Sequence, residues 1–501
     1  MIDLDKDLDD YRQFIRKFPT YNILEYFSIE SMNIYNNYKI GAKMEYVSLY
    51  NKKYKYKIGD YRFDITQWNL LEVCFNSIKY GNDYRNNNID RNDFYTLLNR
   101  TKFISEKLED VNSFREGDLF KHLVCISNME FDFEISHIRS KFNRLYHIMC
   151  VINNNSKFNQ TKEVNYINFN QKFKEITNID YDKYIRCYML IVLLSVGRPN
   201  TNIMDLVDDI KFDVDKLGFT LKDIKNIIIY QSKEYSFYRK FNNWNILKYN
   251  PIVHSEKFNN KYIISNISAL MINFSEFMYW TIRNYYCELK SQDFTNYFGH
   301  CFEYYLSDFF NEYNINYKKL DDDNKKKIPD WKIETENYIF LIEQKAALYP
   351  LDTRDITSKE RIKSLDKYLK DNIEKAFIQL NNYKICTNKV VIRICLTFEQ
   401  IYFVETIQEI VLPKINNIND NYCLNWIVSI NEFEKLFIIL NKNKKEFNKV
   451  IEKKIKLEKE KYNNGRGFDT ILDNYKNDYI LNKINYFEEI IDDMKIKLKD
   501  L

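Results

Sequence analysis

The stretch Ile328-Pro329-Asp330-Trp331-Lys332-Ile333-Glu334, with its continuation Tyr338-Ile339-Phe340-Leu341-Ile342-Glu343-Gln344-Lys345, decides the fold. Two apolar runs flank the polar turn Thr335-Glu336-Asn337, which predicts a β-hairpin. Asp330 enters the first strand and Glu343 ends the second. Antiparallel pairing brings such positions side by side. Glu343 and Lys345 are two apart, so their side chains share one face of the strand. Two acids and a lysine are therefore expected to converge at one end of an otherwise apolar hairpin. Carboxylates that close repel unless something positive sits between them. Hard oxygen ligands so placed suit Mg²⁺, which keeps several waters and binds phosphate as well. A neighbouring lysine can hold or deprotonate a water, or stabilise developing negative charge.

Outward from the hairpin, Phe294, Phe298, Phe302, Tyr305 and Phe309 mark a helix with an aromatic stripe, which carries Gly299 and Glu303. A charged loop, Lys318 to Lys327, leads into the hairpin. A long polar helix is predicted over Lys359 to Lys384, with Gln379 and Tyr383 four apart on one face. Val390 to Leu396 and Ile401 to Val404 read as β-rich. Trp426 to Ile430 reads as a further strand, with Asn431 opening the next helix. This order describes a compact α/β unit.

Pro-Asp, a hairpin and Glu-x-Lys, with Glu303 upstream and Gln379-x-x-x-Tyr383 downstream, resemble the PD-(D/E)XK nuclease superfamily, in particular the branch related to the RecB nuclease domain. The resemblance covers about residues 290 to 440. It implies a restriction-endonuclease-like α/β (α+β) core and a Mg²⁺- or Mn²⁺-dependent phosphodiester hydrolase acting on nucleic acid, DNA rather than RNA. Residue by residue, it implies Asp330 and Glu343 as metal ligands, completed by the Gln344 carbonyl, and Lys345 to position or activate water. Glu303 becomes a further ligand or base. Gln379 and Tyr383 orient Lys345 or touch the nucleic-acid backbone. Gln344 departs from relatives with an apolar residue there.

A chain of 501 residues exceeds what one hydrophobic core usually serves. Three regions follow: a mainly helical segment over 1–285 for recognition, sensing or oligomerisation, the nuclease-like unit over 286–440, and a Lys-rich helical extension over 441–501. A net charge of +4 excludes a uniformly basic coat, so any field that attracts nucleic acid is local. Residues 442–461 hold nine Lys against four Glu. That segment is either a solvated face or a phosphate-binding surface beside the site. Gly465-Arg466-Gly467 reads as a turn, with a phosphate approach as the sharper alternative.

The nine cysteines include no Cys-x-x-Cys and read as reduced thiols, consistent with a cytoplasmic protein. His122-x-x-Cys125 and His147-x-x-Cys150 have zinc-like counts, but each lies in a helical pattern that favours packing. His300 is expected beside the site. No segment reads as a membrane span. The 1–285 region would serve a homo-oligomer or a partner protein, and the architecture is analogous to restriction or anti-phage defence. Two rivals stand beside the nuclease: a catalytically silent nuclease-fold scaffold, and a carboxylate glycosidase, which offers Lys345 and Gln379 no role.

Overall fold

The computed structural model describes residues 4–37, 42–51, 55–113, 119–130, 135–155, 164–197, 202–256, 261–320, 327–350, 353, 358, 360–415, 423–459, 467–472 and 485–499. The fold is mixed α and β. Residues 4–312 are mostly helical, interrupted by a hairpin of β1 (Ala42–Asn51) with β2 (Tyr56–Thr66) and by a small sheet of β3 (Ser232–Glu234), β4 (Ile252–Ser255) and β5 (Lys261–Ile264). A five-stranded sheet follows, made of β6 (Tyr317–Lys319), β7 (Trp331–Glu334), β8 (Tyr338–Lys345), β9 (Val390–Thr397) and β10 (Cys423–Ser429). Spatial order equals chain order. β6, β7 and β8 run antiparallel in succession, whereas β8, β9 and β10 are parallel.

The continuous apolar character of β8 and β9 follows from burial on both faces of the sheet. Phe340, Ile342, Ile392, Ile394 and Trp426 face the large core. Helices Asp293–Glu312 and Ile430–Lys442 cover that face, with Phe310 5.5 Å from Trp331 and Phe437 5.4 Å from Phe340, ring to ring. Ile339, Leu341, Val391, Cys395 and Ile427 face a smaller core with Leu365, Ile373, Phe377, Leu380 and Ile407. The predicted polar helix is continuous over residues 361–382. It consists of α-helical Arg361–Tyr368, a π turn at Leu369–Glu374 and α-helical Lys375–Asn382.

Three expectations change. Lys318 and Lys319, read as the start of a charged loop, pair in β6 with Lys332 and Trp331. Ile401 to Val404 forms no strand; Val404 opens the helix Val404–Val411. Val404, Ile407 and Val411 recur at helical spacing and bury one side, and Phe403 takes a left-handed backbone (φ 54°) at the entry. The helix after β10 begins at Ile430, one residue before Asn431, because Ser429 caps it reciprocally with Glu432. Gly465 and Arg466 lie outside the described residues. Gly467 packs against Glu432, where an added Cβ would come within 2.9 Å of Oε1, so close packing accounts for that glycine.

The helical half is joined to the sheet by charge as well as by apolar packing. Arg144, on the helix Ile135–Tyr146, grips Glu434 at 2.9 and 2.8 Å, and the Tyr305 hydroxyl donates to the same carboxylate at 2.6 Å. Arg144 and Glu434 are 3% and 1% exposed. The C-terminal helix Tyr486–Lys499 returns to the helical half, with the Phe487 ring 5.8 Å from Phe142 and Glu488 2.9 Å from Arg139. Among the described residues no helix is long and apolar enough to cross a membrane.

Breaking a buried pair strands the remaining charge. Arg144→Met is expected to cost about 3–5 kcal/mol in urea unfolding, and Arg144→Met with Glu434→Leu to recover most of it. A single-variant loss below about 1 kcal/mol, the value of a surface pair, would show that this pair does not join the two halves.

Candidate active site

The antiparallel register pairs Trp331 with Ile342. Asp330, one residue earlier, therefore stands opposite Glu343, one residue later. Asp330 Oδ2 accepts a 2.8 Å hydrogen bond from the Gln344 backbone N–H, which fixes its carboxylate against β8. Glu343 is 3% exposed. Its Oε1 accepts from Lys345 Nζ at 2.6 Å, and its Oε2 is buried with no hydrogen-bond donor among the described residues. Lys345 also donates to Gln379 Oε1 at 3.1 Å. Asp330, Glu343, Lys345 and Gln379 thus form one cluster, on the sheet face covered by the helix of residues 361–382.

The two acids resist ionising together. Burial raises the pKa of each above the usual carboxylate range, and the charge of Asp330 pushes Glu343 further. Lys345 opposes the shift at both groups without cancelling it. Glu303 behaves differently. Burial raises its pKa, but Lys319 and His300 beside it bring it below its ordinary value. Glu303 is ion-paired with Lys319 at the end of β6, and His300 Nδ1 lies 3.8 Å away. Its charge is still felt by Asp330, so it borders the pair. Among the described residues no three His, Cys, Asp or Glu side chains are grouped to hold a metal ion. The donors on hand are the two carboxylates, with the Gln344 carbonyl following Glu343 in the chain. That set fits a hard cation that keeps most of its waters, and the donor-less Oε2 of Glu343 is the atom such a cation would satisfy.

Tyr383 does not share a helical face with Gln379. The helix ends at Asn382, and Tyr383 has an extended backbone (φ −94°, ψ 106°) and packs against the smaller core. The Lys-rich helix, Lys444–Lys459, does not lie beside the site. Its Phe447 packs 5.9 Å from Phe340, and Phe340 points to the face opposite Glu343 and Lys345 because side chains alternate along β8. Lys454 is itself buried and pairs with Glu458 at 3.1 Å.

The remaining sequence candidates are structural. Cys125 is buried in the smaller core, Cys150 is buried in the large one, and His147 Nδ1 is 2.8 Å from the Tyr486 hydroxyl. Two contributors escaped sequence reasoning: Lys319, which holds Glu303, and Trp331, whose indole N–H donates to Gln344 Oε1 at 3.2 Å. Lys319 sits among like residues, so no signal set it apart. Trp331 follows Asp330 in the chain, but its contact with Gln344 depends on the hairpin register.

No family model matches the chain, and no curated protein or solved structure matches it.

The raised carboxylates give a pH signature. A group whose pKa is higher folded than unfolded contributes stability below its unfolded value and loses it as pH rises through the folded one. In EDTA, Glu343→Gln is expected to be more stable than the wild type by at least about 1 kcal/mol at alkaline pH. The difference should vanish in acid, where both carboxyls are protonated. Urea unfolding across pH measures it; a variant that is never the more stable form would refute the repulsion between Asp330 and Glu343.

Proposed function

We propose that this chain is a metal-dependent nuclease hydrolysing phosphodiester bonds, DNA rather than RNA. The observation that carries the proposal is the buried Glu343 carboxyl opposite Asp330 at the strand end, with Lys345 two residues on and donating to it. A buried acid pair with raised pKa values is costly in isolation, and a divalent cation is the natural counter-charge. Bound there, Mg²⁺ or Mn²⁺ would supply Lewis-acid polarisation of a phosphate oxygen and a more acidic water.

The residues of the chain do the rest. Asp330 and Glu343 hold the cation, with the Gln344 carbonyl beside them. Asp330 is kept in register by the Gln344 N–H, and Gln344 by the Trp331 indole. Lys345 spends two of its three N–H bonds on Glu343 and Gln379. Those two bonds orient the lysine before substrate arrives, and a third N–H would hold a water or a phosphate oxygen. The helical half serves recognition, sensing or self-association, and restriction or anti-phage defence is the setting that this architecture suggests by analogy.

One observation favours the rival, a catalytically silent nuclease-fold scaffold. Glu303 is tied to Lys319, and among the described residues the acid group stops at two. The same experiment decides between them. Purified protein is incubated with plasmid and single-stranded DNA in Mg²⁺, Mn²⁺ or EDTA. Cleavage is expected with metal only, and Asp330→Asn and Lys345→Ala should each lower the rate at least about 100-fold while remaining folded. DNA binding without cleavage by any form would select the scaffold. Unchanged cleavage by the two variants would remove the site.

A further inference from the structure

The helix Ile135–Tyr146 belongs to the helical half, yet one of its side chains reaches the strand ends that frame the acid pair. Lys141 Nζ lies 2.7 Å from Glu276 and 3.5 Å from Glu399. The lysine is 15% exposed, and the glutamates 3% and 6%. Glu399 stands two residues past the end of β9. Its Oε2 accepts a 2.7 Å hydrogen bond from the backbone N–H of Tyr349, four residues past Lys345. Between these points, the Phe398 N–H donates to the Lys345 carbonyl at 3.0 Å.

Both flanks of the site are drawn in. The Phe398 ring lies 5.3 and 5.2 Å from Phe298 and Phe302, on the helix that carries Glu303. The Tyr349 ring stacks 4.4 Å from Tyr368, on the helix that carries Gln379. The segments leaving Lys345 and Thr397 are thus fixed to each other and to both flanking helices. The charge that anchors them comes from the helical half.

We propose that Lys141 is a positioning residue for the Glu343–Lys345 site. It fixes Glu399, Glu399 fixes the segment that follows Lys345, and a shift of the helix Ile135–Tyr146 is thereby felt at the acid pair. A partner or ligand that moves the helical half would set the rate through this contact, without touching substrate. The effect on catalysis rests on the nuclease reading; the mechanical link does not. A misplacement of about 1 Å suffices to slow a positioned reaction about 100-fold.

Amide hydrogen exchange reads the link directly. In Lys141→Met, the Tyr349 amide is expected to exchange at least about tenfold faster relative to the Phe340 amide in the sheet interior. Lys141→Arg should restore the ratio to within about threefold. Ile224→Val, a stability control on the helix Leu221–Gln231, should leave it unchanged. A Tyr349 amide that does not respond, or that accelerates only in step with Phe340, overturns the proposal. In the cleavage assay, Lys141→Met should lower kcat at least about tenfold with KM for DNA within about twofold. An unchanged kcat with altered exchange also overturns the positioning role. If the wild type cuts nothing, the nuclease reading fails, and the Tyr349 exchange still decides whether the link exists.

Discussion

The strand β8 is buried on both faces and ends in ionisable residues, and the surrounding structure follows from that constraint. Six residues of β8, Tyr338 to Glu343, lie in the interior. The last of them, Glu343, is a carboxylate that meets Asp330 across the hairpin. Water cannot neutralise the pair. The chain brings one lysine from the same strand, an amide from an overlying helix and a backbone N–H for Asp330. Among the described residues these leave Oε2 of Glu343 without a donor, and both acids are held above the usual carboxylate range because Lys345 only partly offsets their burial.

Positive charge elsewhere does not fill that role. The Lys-rich helix is strongly basic, but Phe447 and its neighbours seat it over the opposite face of the sheet. Lys319 approaches the site and is taken up by Glu303. The near-neutral total charge therefore conceals a separation. The cations nearest the site are already paired, Lys319 with Glu303 and Lys345 with Glu343, while the buried carboxylates keep raised pKa values at the strand end.

The chemistry-bearing hairpin was legible because its signals are local. Asp330, Glu343 and Lys345 fall within sixteen residues, and strand periodicity alone places them together. Gln379 was legible as a helical position, but its contact with Lys345 depends on how that helix crosses the sheet. Ile401 to Val404 misled because a short apolar run fits a strand or a buried helix start equally well. Tyr383 misled because nothing in Asn381-Asn382-Tyr383 marks the end of the helix. Glu399 and Lys141, 258 residues apart, left no trace in periodicity. Long-range ion pairs between two halves of a chain are invisible until both are folded, and here they determine how the helical half meets the sheet.

The π turn at Leu369–Glu374 has a consequence of a different kind. Such a turn absorbs one extra residue within an otherwise α-helical rod. It works as a phase shifter: everything before it keeps one angular setting, and everything after it is rotated by about 100° from where a plain α-helix would carry it. Leu365 on one side and Phe377 and Leu380 on the other can then point into the same core, while Gln379 still turns toward Lys345. A version of this chain one residue shorter within the turn would keep its composition, its hydrophobic content and its helix. It would lose the alignment between its buried stripe and its site. Counting residues along that helix is therefore part of bringing Gln379 to Lys345.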